Sequence, residues 1–143
     1  GIIALRSFGK FYGLPGLRLG FAIADSETTA SLKSVLGPWP VSSLAAMVGA
    51  AALVDKTWQI ETRNRLALSS AQLDSILEAA GLDIVGGTHL FRLVTSSNAR
   101  AIHEKLARAG IFTRYFPENS RWLRFGLPGK KDDWERLEKA FGL

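Results

Sequence analysis

The chain has 143 residues, 47% of them hydrophobic and 22% charged, with a net charge of +5 and no cysteine. That length suits one domain or two small units, and no apolar run approaches the ~20 residues of a membrane span. Disulfides and thiolate metal sites are excluded, and a cytoplasmic location is expected.

The charge is uneven. Residues 1–91 hold seven Lys/Arg and seven Asp/Glu, whereas residues 92–143 hold eleven against six. An anionic small substrate, a nucleic acid or a merely solvated surface would each suit such an excess. The basic residues are interleaved with apolar ones at strand and core spacing, which weighs against nucleic acid. His89 and His103 lie far apart and lack metal-ligand spacing, so no metal is expected.

The start, GIIALRS, has no signal-peptide layout, and no initiator Met precedes it. It reads as a strand entered partway, as in a piece of a longer protein. Ile2 to Leu5 is expected as a buried strand and Leu19 to Ala24 as a second one. Gly13, Pro15 and Gly16 break regular structure between them. A short helix capped by Ser26 or Thr28 is expected through Val35, stopped by Gly37-Pro38-Trp39-Pro40. Ser42 or Ser43 should cap an alanine-rich helix to about Val54, and a second helical stretch should run from Lys56 to Ala80. The two could be one long bent helix. Leu66, Leu73, Ile76, Leu77 and Ala80 form its apolar stripe.

Beyond Gly81 strands alternate with helices. Asp83 to Val85 reads as a short strand, Gly86-Gly87 as a turn and Leu90 to Thr95 as a strand. A helix capped by Ser97 or Asn98 closes at Gly110. Strands follow at 111–116 and 121–127, then a final helix with Asp132 at its cap and Trp134, Leu137, Ala140 and Phe141 on one face. The order β-β-α-β-β-α describes a small α+β lobe. The four tryptophans are expected in core or interface packing.

The chemistry gathers in SFGKFYGLPGLRLG, residues 7–20. Lys10 offers a primary amine that can join an aldehyde, Arg18 a planar fork for a phosphate and Ser7 a hydroxyl for the same group. The glycines let backbone approach a ligand closely. Neither a Walker loop nor GxGxxG is present.

This stretch resembles the active-site segment of the fold-type I, class I/II aminotransferase superfamily of pyridoxal-phosphate enzymes. WPVSSLA at 39–45 and WLRFGLP at 122–128 resemble later landmarks of that superfamily. The resemblance implies that Lys10 carries pyridoxal 5'-phosphate, that Ser7 and Arg18 bind its phosphate, and that Arg124 binds the substrate's α-carboxylate. Arg114, in GIFTRYF, resembles a second arginine that contacts acidic groups of substrate.

The implied fold is α/β and α+β, the C-terminal portion of a fold-type I enzyme. Residues 1–55 would end the large cofactor-binding domain, and residues 56–143 would supply a long connecting helix and a small C-terminal α+β domain. SFGKFYGLPGLRLGFA, GGTHLFRLV and WLRFGLPG look most like the threonine-phosphate decarboxylase branch of the cobalamin pathway. The histidinol-phosphate aminotransferase branch is the alternative, and a non-enzymatic basic binding module lies outside the class. A small phosphorylated amino-acid substrate and a homodimer of the full-length protein are implied, with no nucleic-acid or membrane partner. The family's pyridinium-pairing acid, phenol-bonding tyrosine and stacking ring all lie upstream of its lysine, so none is expected here, and the chain alone is expected to be inactive.

Overall fold

A computed structural model describes all residues from 1 to 143 and divides them into two compact units, Gly1–Gln59 and Ile60–Leu143. In the first unit, β1 (Ala4–Ser7) pairs antiparallel with β2 (Gly20–Ile23), Ser7 opposite Gly20 and Ala4 opposite Ile23. The motif is therefore the long loop of a hairpin. Inside it, Phe8 N–H donates to Leu19 O, Leu14 N–H donates to Phe8 O, and Pro15–Leu17 form one 3-10 turn.

Phe8 anchors the loop. Its side chain is buried, and its ring meets Tyr12 at 4.7 Å and Phe21 at 5.7 Å. Tyr12 stacks in turn on Trp58. From α2 (Ser43–Val54), Gly49 faces the loop so closely that an added Cβ would lie 2.3 Å from Leu19 Cδ2 and 3.5 Å from Phe8 Cζ. The helix's small residues thus serve close approach, as its composition predicts.

Several expectations are corrected here. The first strand is not buried: Ile2, Ile3 and Leu5 are exposed, because a two-stranded sheet has no further layer over them in this chain. Asp25, rather than Ser26 or Thr28, caps α1 (Ser26–Leu36), its carboxylate accepting from Thr28 N–H at 2.8 Å. Trp39 is 90% exposed, so of the core and interface roles expected for it, core packing within this chain is excluded. Ser42 does cap α2, accepting from Ala45 N–H. The chain then breaks at Asp55, whose carboxylate accepts from Trp58 N–H and starts a separate α3 (Lys56–Ala79). The bent single helix does not form.

In the second unit, β3 (Asp83–Thr88), β4 (Phe91–Thr95), β5 (Arg114–Tyr115) and β6 (Trp122–Gly126) form an antiparallel sheet in the order β3-β4-β6-β5. Val94, Leu123 and Phe125 line one face. Leu73, Ile76 and Leu77 of α3, Ala99 and Leu106 of α4 (Ala99–Arg108), and Leu137 of α5 (Lys131–Phe141) complete the core with them. The expected stripes of α3 and α5 supply those contacts, except that Leu66 lies outside the core.

Gly86-Gly87 is not the expected turn. The strand continues through it with a bulge between Ile84 and Gly86, and the chain reverses at His89-Leu90. Gly87 has φ +153°, and a Cβ there would lie 2.5 Å from Phe91 O, so glycine is needed for two strands to approach. The strand expected at 111–116 is reduced to two residues. Lys130, not Asp132, occupies the cap of α5, and its N–H donates to the Asp133 carboxylate. Asn98 takes the cap position of α4 without a side-chain bond. No helix is long and apolar enough to cross a membrane.

Candidate active-site elements

In the first unit, Ser7, Gly9, Leu14, Pro15, Arg18, Leu19 and Gly20 line a cleft of about 230 Å³. The hairpin and the loop bonds bring Ser7 and Arg18 to it from opposite ends of the motif. Ser7 Oγ accepts from Gly9 N–H at 3.1 Å, which leaves the hydroxyl proton free to donate. A Cβ built on Gly9 would stand 3.5 Å from Ser7 Oγ, an ordinary van der Waals contact.

Arg18 is the chain's only non-glycine residue with positive φ, at 52°. Left-handed backbone costs a residue with a Cβ roughly 1–2 kcal/mol. It ends the 3-10 turn, and its guanidinium donates to Pro15 O at 3.3 Å. Strain of this kind gathers where a side chain must be aimed. An exposed hydroxyl, a guanidinium and backbone at close quarters form a donor set for a phosphate. Lys10 is exposed and stands outside the cleft's lining, with its carbonyl accepting from Gly13 N–H.

In the second unit, Arg114 of β5 stands directly opposite Arg124 of β6. Both are exposed, on the sheet face away from the Leu123–Phe125 core. Like charges facing each other across a ladder are unfavourable, and neither guanidinium has a carboxylate partner. Aromatic rings lie beside them instead: Arg124 Cζ is 4.9 Å from the Phe91 centroid and Arg114 Cζ is 5.5 Å from that of Phe116. Two cations held on rings can receive an anion that neutralises both.

Sequence reasoning overlooked those two rings. Only Phe116 left a local signal, an aromatic two residues after Arg114 in TRYF; Phe91 meets Arg124 from a different strand. Sequence reasoning also overlooked the ion pair of Arg92 with Asp74, 18 residues apart and on different elements. Arg92 donates to both Asp74 oxygens, at 2.5 and 2.9 Å, and to Thr88 O. Hydrogen bonding to Asp74 raises the Arg92 pKa above its ordinary value. His89 Nδ1 and Ser70 Oγ are hydrogen-bonded at 3.1 Å, and His103 Nδ1 and Thr113 Oγ1 at 2.8 Å. Both histidines thus have local structural partners.

The model of the family "Aminotransferase class I and II" matches residues 1–141. The chain belongs to this aminotransferase family. Among its curated relatives, "Threonine-phosphate decarboxylase" of Pseudomonas aeruginosa is 42% identical over 98% of this chain and 42% of its own length. A protein of the same description from Sinorhizobium sp is 44% identical over 97% of this chain and 41% of its own. Among solved structures, histidinol-phosphate aminotransferase from Sinorhizobium meliloti in complex with pyridoxal-5'-phosphate is 25% identical, with TM-score 0.85, over 97% of this chain and 39% of its own. The fold class expected from the sequence is that of these aminotransferase-family structures, and the chain spans about two fifths of the length of the relatives it matches.

Proposed function

We propose that the full-length protein is a pyridoxal-phosphate-dependent lyase that decarboxylates L-threonine O-3-phosphate to aminopropanol phosphate, in cobalamin biosynthesis. The observation that carries this reading is the Ser7–Gly9–Arg18 cleft beside Lys10, in a chain more than 40% identical to two proteins named for that reaction. Residues 1–55 would end the large domain, and residues 56–143 would form the connecting helix and small domain.

When bound, pyridoxal 5'-phosphate supplies an aldehyde for amines and a conjugated ring that accepts electrons from a breaking Cα bond. Ser7 Oγ and the Arg18 guanidinium would hold its phosphate. Lys10 Nζ would be the attachment point, and the same amine would be placed to deliver a proton to Cα in place of the lost carboxylate. Arg124 would orient the carboxylate, which decides the bond that breaks. Arg114 would share the substrate's acidic groups with it.

A second reading is amino transfer of the histidinol-phosphate type, favoured by the 0.85 TM-score to such an enzyme. The full-length protein is expected to release carbon dioxide from L-threonine O-3-phosphate without a keto acid. Amino transfer that depends on a keto acid, with no carbon dioxide, would establish the second reading. A cytoplasmic homodimer acting on a small phosphorylated amino acid completes the proposal.

A further inference from the structure

Arg124 sits in the middle of β6, with Arg114 opposite on β5 and Leu93 opposite on β4. Its guanidinium is on a flexible stem, is repelled by Arg114 and is exposed. A group so placed grips an anion well only if something orders it beforehand. Phe91 is placed to do that. It is paired with Gly126, two residues along β6 from Arg124, so no β6 side chain stands between the ring and the guanidinium 4.9 Å away. A Cβ on Gly126 would meet nothing within 4 Å, so packing does not require glycine there.

The backbone that carries the ring is anchored from behind. Arg92, the next residue, is paired with Phe125 on the core face of the sheet. It ties β4 to Asp74 of α3 through both carboxylate oxygens, and to the carbonyl of Thr88, which pairs with Phe91 in the ladder. Thr88 Oγ1 accepts from Leu90 N–H and closes the turn. The ion pair is 14% and 30% exposed, little screened by solvent.

We propose that Phe91 is a positioning residue for Arg124: its ring, carried on a strand that the Asp74–Arg92–Thr88 cluster anchors from the other face, holds the guanidinium ready for the substrate's acidic group. This rests on the assignment of Arg124 to substrate binding, and it adds a residue and a support that the assignment lacks.

The test uses the full-length protein. Affinity for L-threonine O-3-phosphate is measured by calorimetry without cofactor, and kcat and KM are measured with it. The variants are Phe91→Leu, Phe91→Met, Phe91→Tyr, Arg124→Gln and the double variant Phe91→Leu/Arg124→Gln, with melting temperatures confirming that each folds. Leu and Met at 91 should weaken binding and raise KM roughly two- to fivefold, the range of an exposed cation–π contact, with kcat little changed. Tyr should restore both. In the Arg124→Gln background, Phe91→Leu should add nothing. If Arg124→Gln weakens binding but Leu and Met at 91 do not, or if the two effects multiply, the positioning role is overturned and the Arg124 assignment stands. If Arg124→Gln leaves affinity and KM unchanged, the assignment fails, and the positioning role with it.

Discussion

Arg18 shows how much one residue's backbone can say. Left-handed backbone is normally given to glycine, and the loop has glycines to spare, yet an arginine holds that place. Arg18→Gly should relieve the strain, leaving stability equal or better by about 1 kcal/mol. The same change in the full-length protein should weaken pyridoxal-phosphate binding roughly tenfold to a hundredfold, as loss of a charge-assisted hydrogen bond would. Melting temperature and a spectroscopic cofactor titration measure the two effects. Parallel loss of both would assign Arg18 to folding rather than to a phosphate. The motif's residue types were legible in the sequence because a loop's chemistry is local. The positive φ was not, since it arises from closing a hairpin around a 3-10 turn. The Asp74–Arg92 pair was illegible for a similar reason: its partners meet only after α3 packs on the sheet. Arg92→Leu should strand the Asp74 charge and cost the second unit about 2 kcal/mol, read by denaturant unfolding.

At the scale of elements, periodicity performed well where one face is buried and poorly at ends and turns. The stripes of α3 and α5 were readable because a core selects apolar residues every third or fourth position. Caps were not. Asp25, Ser26 and Thr28 can all cap, and the choice falls to where the chain leaves β2. Bonding to the Thr28 amide holds the Asp25 carboxyl below its ordinary pKa. A depressed carboxyl stabilises the fold above its unfolded pKa and stops doing so as pH falls through the folded value. The first turn of α1 should therefore lose hydrogen-exchange protection as pH drops below the usual aspartate range, and Asp25→Ala should lose it at neutral pH as well. Unchanged protection in that variant would contradict the cap. The Gly86-Gly87 pair misled because two adjacent glycines serve a bulge as readily as a turn. Gly87→Ala should cost about 1–3 kcal/mol through strained φ and contact with Phe91 O.

For the molecule as a whole, the first unit keeps much of its apolar surface in water. Ile2, Leu5 and Ile23 of the hairpin, Val35 and Leu36 of α1, Trp39 beyond it, and Leu44 and Met47 of α2 are all exposed. The sequence placed the Ile2–Leu5 strand inside, because hydropathy reports a need for burial without naming what provides it. The 143-residue chain studied alone is expected to elute above its monomer mass in size-exclusion chromatography. A clean monomer at micromolar concentration would show that this surface is tolerated in water.

The proposed activity turns on Lys10, an exposed lysine between a buried phenylalanine and a glycine-bent loop. Its most direct test is borohydride trapping of the full-length protein with pyridoxal 5'-phosphate, followed by peptide mass mapping. A single phosphopyridoxyl label on Lys10, absent in Lys10→Ala, is the expected result. A label on another lysine, or none, would contradict it.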